Sequence, residues 1–229
     1  MRSLACIALL AALPAYAQQA PKPEVATKFS AWTKDRIAAT AGKSGGKAFI
    51  ARSMADGPAG AKETMQLAAT TTAITDDTGA DYQGAHIAIV GADRDGNITD
   101  VRPVKAGFRT GERFKLRALT TFGAHVVIEN VNAQGERRQI YPPEGKSVVV
   151  IQGGGETLLP LGAKEFFEFA RTTGQEQLVI SLRDPRAVGD AASRQKVLRV
   201  DEDDGTSFIQ EVAKGTFPAI SETIRLEHR

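Results

Sequence analysis

Three histidines, two acidic turns and one cluster of phenylalanines are the residues here whose types could carry chemistry. His86, His125 and His228 would suit zinc at spacings such as H-x-x-x-H or H-E-x-x-H, which set two imidazoles on one helical face. They have no such spacing. A G-x-S-x-G nucleophile elbow is also missing, so no Ser-His-Asp arrangement can be read from the chain. A hydrolase would need His86 or His125 to converge with carboxylates in a pocket, and on neighbouring strands the two could meet.

Asp93-Arg94-Asp95-Gly96-Asn97-Ile98-Thr99-Asp100 alternates oxygen ligands as a calcium loop does. An EF-hand loop, however, has its glycine at the sixth position, and Gly96 is fourth. Between two strands, Asp, Gly and Asn are the residues a tight turn selects for backbone reasons. Asp201-Glu202-Asp203-Asp204-Gly205 crowds four carboxylates that could hold a hard cation, although a solvated loop has the same composition. Gly42-Lys43-Ser44 and Gly145-Lys146-Ser147 resemble the end of a phosphate loop. Its first glycine would fall at Ile37 and Ile140, so both fail. Glu165 and Glu168, three apart on a strand, would point to opposite faces, which is poor for paired acid–base work. Phe167 and Phe169 would share a core-facing side and leave Phe166 outward. These residues assign no catalytic, cofactor-binding or metal-ligating position.

The chain that must position them has 229 residues, 42% hydrophobic and 24% charged, enough for a sizeable buried core. Lys and Arg total 29 against 27 Asp and Glu, a balance that argues against an electrostatic nucleic-acid binder. Residues 1–17 read as a secretory signal peptide. Arg2 is the charged start, Leu4 to Leu13 the apolar core, Pro14 the break, and Ala15-Tyr16-Ala17 the small-residue cleavage site. The apolar run falls short of the roughly 20 residues that span a bilayer, and no longer run follows it. Cleavage after Ala17 removes Cys6, the only cysteine, and with it disulfides, thiolate ligands and a cysteine nucleophile. A periplasmic or secreted bacterial product is expected, without a membrane span after cleavage.

Residues 18–81 read as an N-terminal arm rich in Pro, Ala, Gly and Thr. Gln18 to Glu24, with Pro21 and Pro23, looks like a non-helical tether. Phe29, Trp32 and Ile37 place a short amphipathic helix over about Lys28 to Thr40, with another possible over Gly60 to Ala69. From Ala41 to Asp81 large apolar groups are scarce, so partial disorder is expected there. After Tyr82 the pattern becomes short alternating strands separated by turns at roughly 8–12-residue spacing. Gln177 to Arg183 is the clearest strand, with Leu178, Ile180 and Leu182 on one face. Asp184 to Gln195 and Asp201 to Gly205 read as exposed loops around a strand at Lys196 to Val200, and Glu222 to Glu227 as a closing strand. Residues 82–229 are therefore expected to form an all-β, antiparallel β-sandwich of Ig-like or Greek-key type.

Within it, Ala106 to Pro185 resembles the DUF4384 family, a bacterial extracytoplasmic domain of unknown function. The matching features are Gly111-Glu112-Arg113-Phe114-Lys115-Leu116 at a strand entry and Val126 to Val131 with Gly135 at a hairpin. Ile140-Tyr141-Pro142, Leu158-Leu159-Pro160, Phe167, Phe169 and Gly174-Gln175-Glu176-Gln177-Leu178 complete the set. Gly174 lacks the usual preceding proline, and His125 stands where an aromatic residue is common. These are turn and core signatures, so they imply a fold and transfer no active site. The resemblance implies an accessory, protein-interaction module of a bacterial envelope assembly, for secretion or signalling. The alternative is a binder of a small molecule, glycan or calcium that uses loops at one end of the sandwich. N-terminal sequencing of the exported product is expected to begin at Gln18; full-length protein recovered from the cytosol would contradict this reading.

Overall fold

The computed structural model describes residues 23–41, 73–103, 105–169, 173–187 and 196–229. The signal peptide and the possible helix over Gly60 to Ala69 lie outside the described residues. So do Gly42-Lys43-Ser44.

Two antiparallel sheets face each other, as the strand grammar leads one to expect. The larger follows the order β11 (Val197–Glu202), β12 (Gly205–Val212), β2 (Asp81–Ala92), β4 (Arg113–Thr120), β8 (Glu156–Leu159). Short strands β1 (Ile74–Thr75) and β3 (Ile98–Arg102) pair with β2, and β9 (Phe167–Glu168) pairs with β4. The smaller sheet runs β13 (Ala219–His228), β10 (Gly174–Arg183), β5 (Ala124–Val131), β6 (Arg137–Tyr141), with β7 (Val149–Ile151) also on β5.

Alternation along the strands determines what lies between the sheets. Leu178, Ile180 and Leu182 of β10 point inward with Val126 and Ile128 of β5 and Ile224 and Leu226 of β13. From the other sheet come Ile87, Ile89, Leu116 and Phe208. Phe108, Phe114 and Phe169 plug one end; Phe169 stacks on Phe108 at 4.7 Å and lies 4.9 Å from Phe114. Burying each such ring contributes about 1.5–3 kcal/mol. Phe167 packs against the same core, while the Arg113 guanidinium covers Phe166 at 4.9 Å.

The larger sheet is also covered on its outer face. Helix α1 (Pro23–Ala41) lays Val25 and Phe29 against Tyr82 and Ile209, with Ile74 beside them and Trp32, Leu198 and Val200 at the margin. Gly84 is needed beneath this helix, because a Cβ there would stand 2.4 Å from the Phe29 ring. Further along the face, Lys115 is buried and donates from Nζ to the Gly162 and Ala163 carbonyls at 3.0 and 3.1 Å.

Three expectations need correction, and one strand was not expected at all. The helix begins at Pro23, inside the stretch read as a tether, since proline suits the first helical position, where no N–H is needed. Among the described residues, the strand expected to hold both Glu165 and Glu168 covers only Phe167–Glu168, so Glu165 lies outside it. Asp201 to Gly205 is mostly strand: β11 extends through Glu202, and β12 begins at Gly205 after a two-residue turn. Strand β12 itself was missed, because its buried Thr206, Ser207 and Gln210 hide the apolar alternation.

Two tyrosines report on both layers. Tyr82, under the helix and near Glu211 and Asp76, is raised from the usual 10.0 to about 12, chiefly by burial. Tyr141, in the main core, is likewise raised by burial to about 12, although its oxygen accepts from Leu161 N–H. A raised folded-state value means the protonated phenol stabilises the fold in full below pH 10 and loses that contribution as pH climbs through 12. Ultraviolet titration is expected to show both phenols ionising near pH 12 in folded protein, with stability to urea falling between pH 10 and 12. Ionisation near 10 while the fold persists would contradict this packing.

Candidate functional site

Placing the histidines on the strands separates them. His86 lies on β2 of the larger sheet and His125 on β5 of the smaller, so the cross-strand meeting of the two does not occur. Each histidine has its own surroundings.

His86 sits on the outer face of the larger sheet, directly opposite Ser207 on β12 and Leu119 on β4. Only 1% of it is exposed. Its Nδ1 is 3.0 Å from Ser207 Oγ and 3.5 Å from Glu202 Oε2. Its Nε2 faces Asp204 Oδ1 at 4.0 Å, and is buried without a hydrogen-bond partner. One ligand atom from each of His86, Glu202 and Asp204 lies within 4.8 Å of the others. Burial pulls the imidazole below its ordinary value and outweighs the opposing pull of Asp204 and Glu202.

The surroundings are polar in the next row as well. Arg117 of β4 places Nη2 3.9 Å from Asp204 Oδ2, and its Nε is buried without a partner. Glu156, on β8, is raised by burial, against the lowering effect of the Arg117 charge. The acidic turn at 201–205 is thus not merely a solvated loop: its Glu202 and Asp204 lean over a buried imidazole. Sequence alone offered the crowded carboxylates but no signal that β12 would bring them to His86.

The same turn borders a cleft of about 390 Å³ between the edge strands β11 and β13. Lys105, Arg199 and Arg225 alternate there with Asp201, Glu202 and Glu227. Arg199 crosses the opening, donating from Nη1 to the Thr223 carbonyl at 2.8 Å and from Nε to Asp201 at 2.9 Å.

The other acidic turn is occupied by its own backbone. The Asp93 carboxylate accepts from the Asp95 and Asn97 amides at 2.9 and 2.8 Å and from the Asn97 side chain at 3.0 Å, which lowers its pKa. Gly96 takes the positive φ of 79°. This is the turn chemistry expected of Asp-x-x-Gly-Asn.

His228 forms a relay that sequence reading did not anticipate. Glu176 Oε1 lies 2.8 Å from Nδ1, and Thr110 Oγ1 lies 3.0 Å from Nε2. Asn130 donates to the second Glu176 oxygen at 2.8 Å. Carboxylate, imidazole and hydroxyl stand in the order of a nucleophilic triad, but such a triad also needs amides aimed at an oxyanion. The amides around Thr110 are committed elsewhere: Arg109 N–H to Glu112, Gly111 N–H to the Phe169 carbonyl, and Glu112 N–H to the Arg109 carbonyl. The arrangement works as a clamp, sealing the phenylalanine end of the core with fully partnered polar groups.

Comparison with protein-family models, with curated proteins and with solved structures finds no match to this chain.

The clamp makes a stability prediction. Thr110→Val, which removes one part-buried hydrogen bond at an exposed residue, is expected to cost about 1 kcal/mol. His228→Ala strands the buried Glu176 carboxylate and is expected to cost about 3 kcal/mol or more. Urea unfolding of the two variants measures the difference, and equal losses would contradict the clamp.

Proposed function

We propose that this chain is an exported, non-enzymatic β-sandwich that serves as an accessory, protein-interaction module of a bacterial envelope assembly. The apolar run of the leader and the DUF4384-like turn signatures support the address and the kind of module. The observation that carries the interaction reading is strand β3.

Among the described residues, β3 pairs with β2 along one edge only and is exposed along most of its length. Ile98 and Val101 are 44% and 42% exposed, among the few large apolar side chains of the described residues left in solvent. Three apart, they would face opposite ways on a regular strand. The register pairs Ile98 with Ala92 and Val101 with Val90, and the irregularity between these pairs adds one residue on the β3 side. Directly paired residues share a face, so the bulge turns Ile98 and Val101 to the same side. An open edge with two aligned apolar side chains suits a partner that adds an extended strand, with backbone pairing for affinity and the side chains for selection.

Capture from periplasmic extract by the tagged protein is expected to retain a partner, and Ile98→Lys with Val101→Lys is expected to release it while thermal stability is unchanged. A partner held equally by the double variant, or no partner with either form, would count against this function.

A further inference from the structure

We propose that His86, Glu202 and Asp204 form a binding site for a divalent transition-metal cation of the zinc class. The proposal is independent of the strand-addition surface on β3.

The first support is an orphaned atom. A buried ring nitrogen with no hydrogen-bond partner is uncommon in a native fold and calls for an explanation. His86 Nε2 is such an atom, and what it faces is a carboxylate oxygen. At 4.0 Å the pair is too far apart for a hydrogen bond. Bonds from zinc to nitrogen and oxygen are each about 2.0–2.2 Å, so an ion between the two atoms spans that gap with a small closure of the turn.

The second support is the orientation of the ring. Ser207 Oγ, 3.0 Å from Nδ1, is the partner that holds the proton there, and Glu202, 3.5 Å from the same nitrogen, turns toward Nε2 to act as a ligand. A proton held at Nδ1 leaves the Nε2 lone pair directed at Asp204, the tautomer a metal-binding imidazole uses when an outer partner fixes its other nitrogen.

The third support is charge. Glu202 and Asp204 bring two carboxylates to the imidazole, and the Arg117 guanidinium stands 3.9 Å from Asp204. A divalent cation offsets the carboxylate charge that remains. Gly205 contributes by lacking a side chain: a Cβ there would stand 2.8 Å from His86 Nε2 and 2.5 Å from the Ile87 carbonyl.

The donor set chooses the class of ion. Calcium and magnesium take oxygen ligands, whereas an imidazole nitrogen with two carboxylates suits zinc and its first-row neighbours. The hard-cation reading of Asp201 to Gly205 is thereby redirected to a softer ion. Three protein ligands leave a tetrahedral ion one open position, for water or a partner's side chain.

Zinc alone is the probe. Equilibrium dialysis of the full chain is expected to retain one zinc per molecule, with calcium not competing. Glu202→Gln and Asp204→Asn keep side-chain shape at partly exposed positions, and each is expected to weaken zinc binding about tenfold or more, with near-ultraviolet circular dichroism unchanged. Because any variant can disturb folding, the unmodified chain supplies a second readout: zinc should shift the ring ¹⁵N signals of His86. No stoichiometric zinc, affinity unchanged in either variant, displacement by calcium, or shifts confined to His125 or His228 would each overturn the assignment.

Discussion

Strand β2 crosses the middle of the larger sheet with its side chains covered on both faces from Tyr82 to Gly91. A strand in that position cannot leave its outer face to water, and most of the remaining architecture answers this need. Helix α1 covers Tyr82 and Gly84, Lys115 and the 162–163 backbone cover the far end, and the β11–β12 turn covers the stretch around His86. The sandwich therefore has a second, thinner layer outside its main core. Polar groups on that outer face are drawn into low dielectric with few partners, which strengthens each electrostatic contact they make.

One end of the inner core is built differently from its middle. Between the sheets the contacts are aliphatic and aromatic, and any well-shaped apolar set would serve. At the phenylalanine end, Glu176 and His228 lie on inward-facing positions of β10 and β13, where the alternation alone would place another Leu or Ile. Two partnered polar groups there fix how β13 approaches the loop before β4, a specificity that packing by itself does not supply.

How far the sequence could be read follows from the same division. β10 was legible residue by residue, because one of its faces is core and the other is wet. The sandwich class followed from many such strands. β12 was invisible for the opposite reason: covered on both sides, it carries Thr206, Ser207 and Gln210 among Phe208 and Ile209, a pattern that matches neither alternation nor an apolar run. Losing β12 from the reading also lost the juxtaposition of Glu202 and Asp204 with His86, since that contact exists only through β12 pairing with β2. The turn at Asp93 was legible because its hydrogen bonds are local. The histidine environments are set by residues distant in the chain, and no short-range pattern encodes them.

The bulge on β3 makes stickiness a matter of alignment as well as composition. Ile98 and Val101 stand together only while the extra residue remains looped between them. Were Ile98 to slide one position along β2 so that the ladder became regular, it would turn away while Val101 stayed in place. The rim of the sheet would then lose half of its greasy contact without any change of amino acid. Such an edge could be made adhesive or inert by a one-residue shift in pairing, a cheaper route to altered association than rebuilding the surface itself.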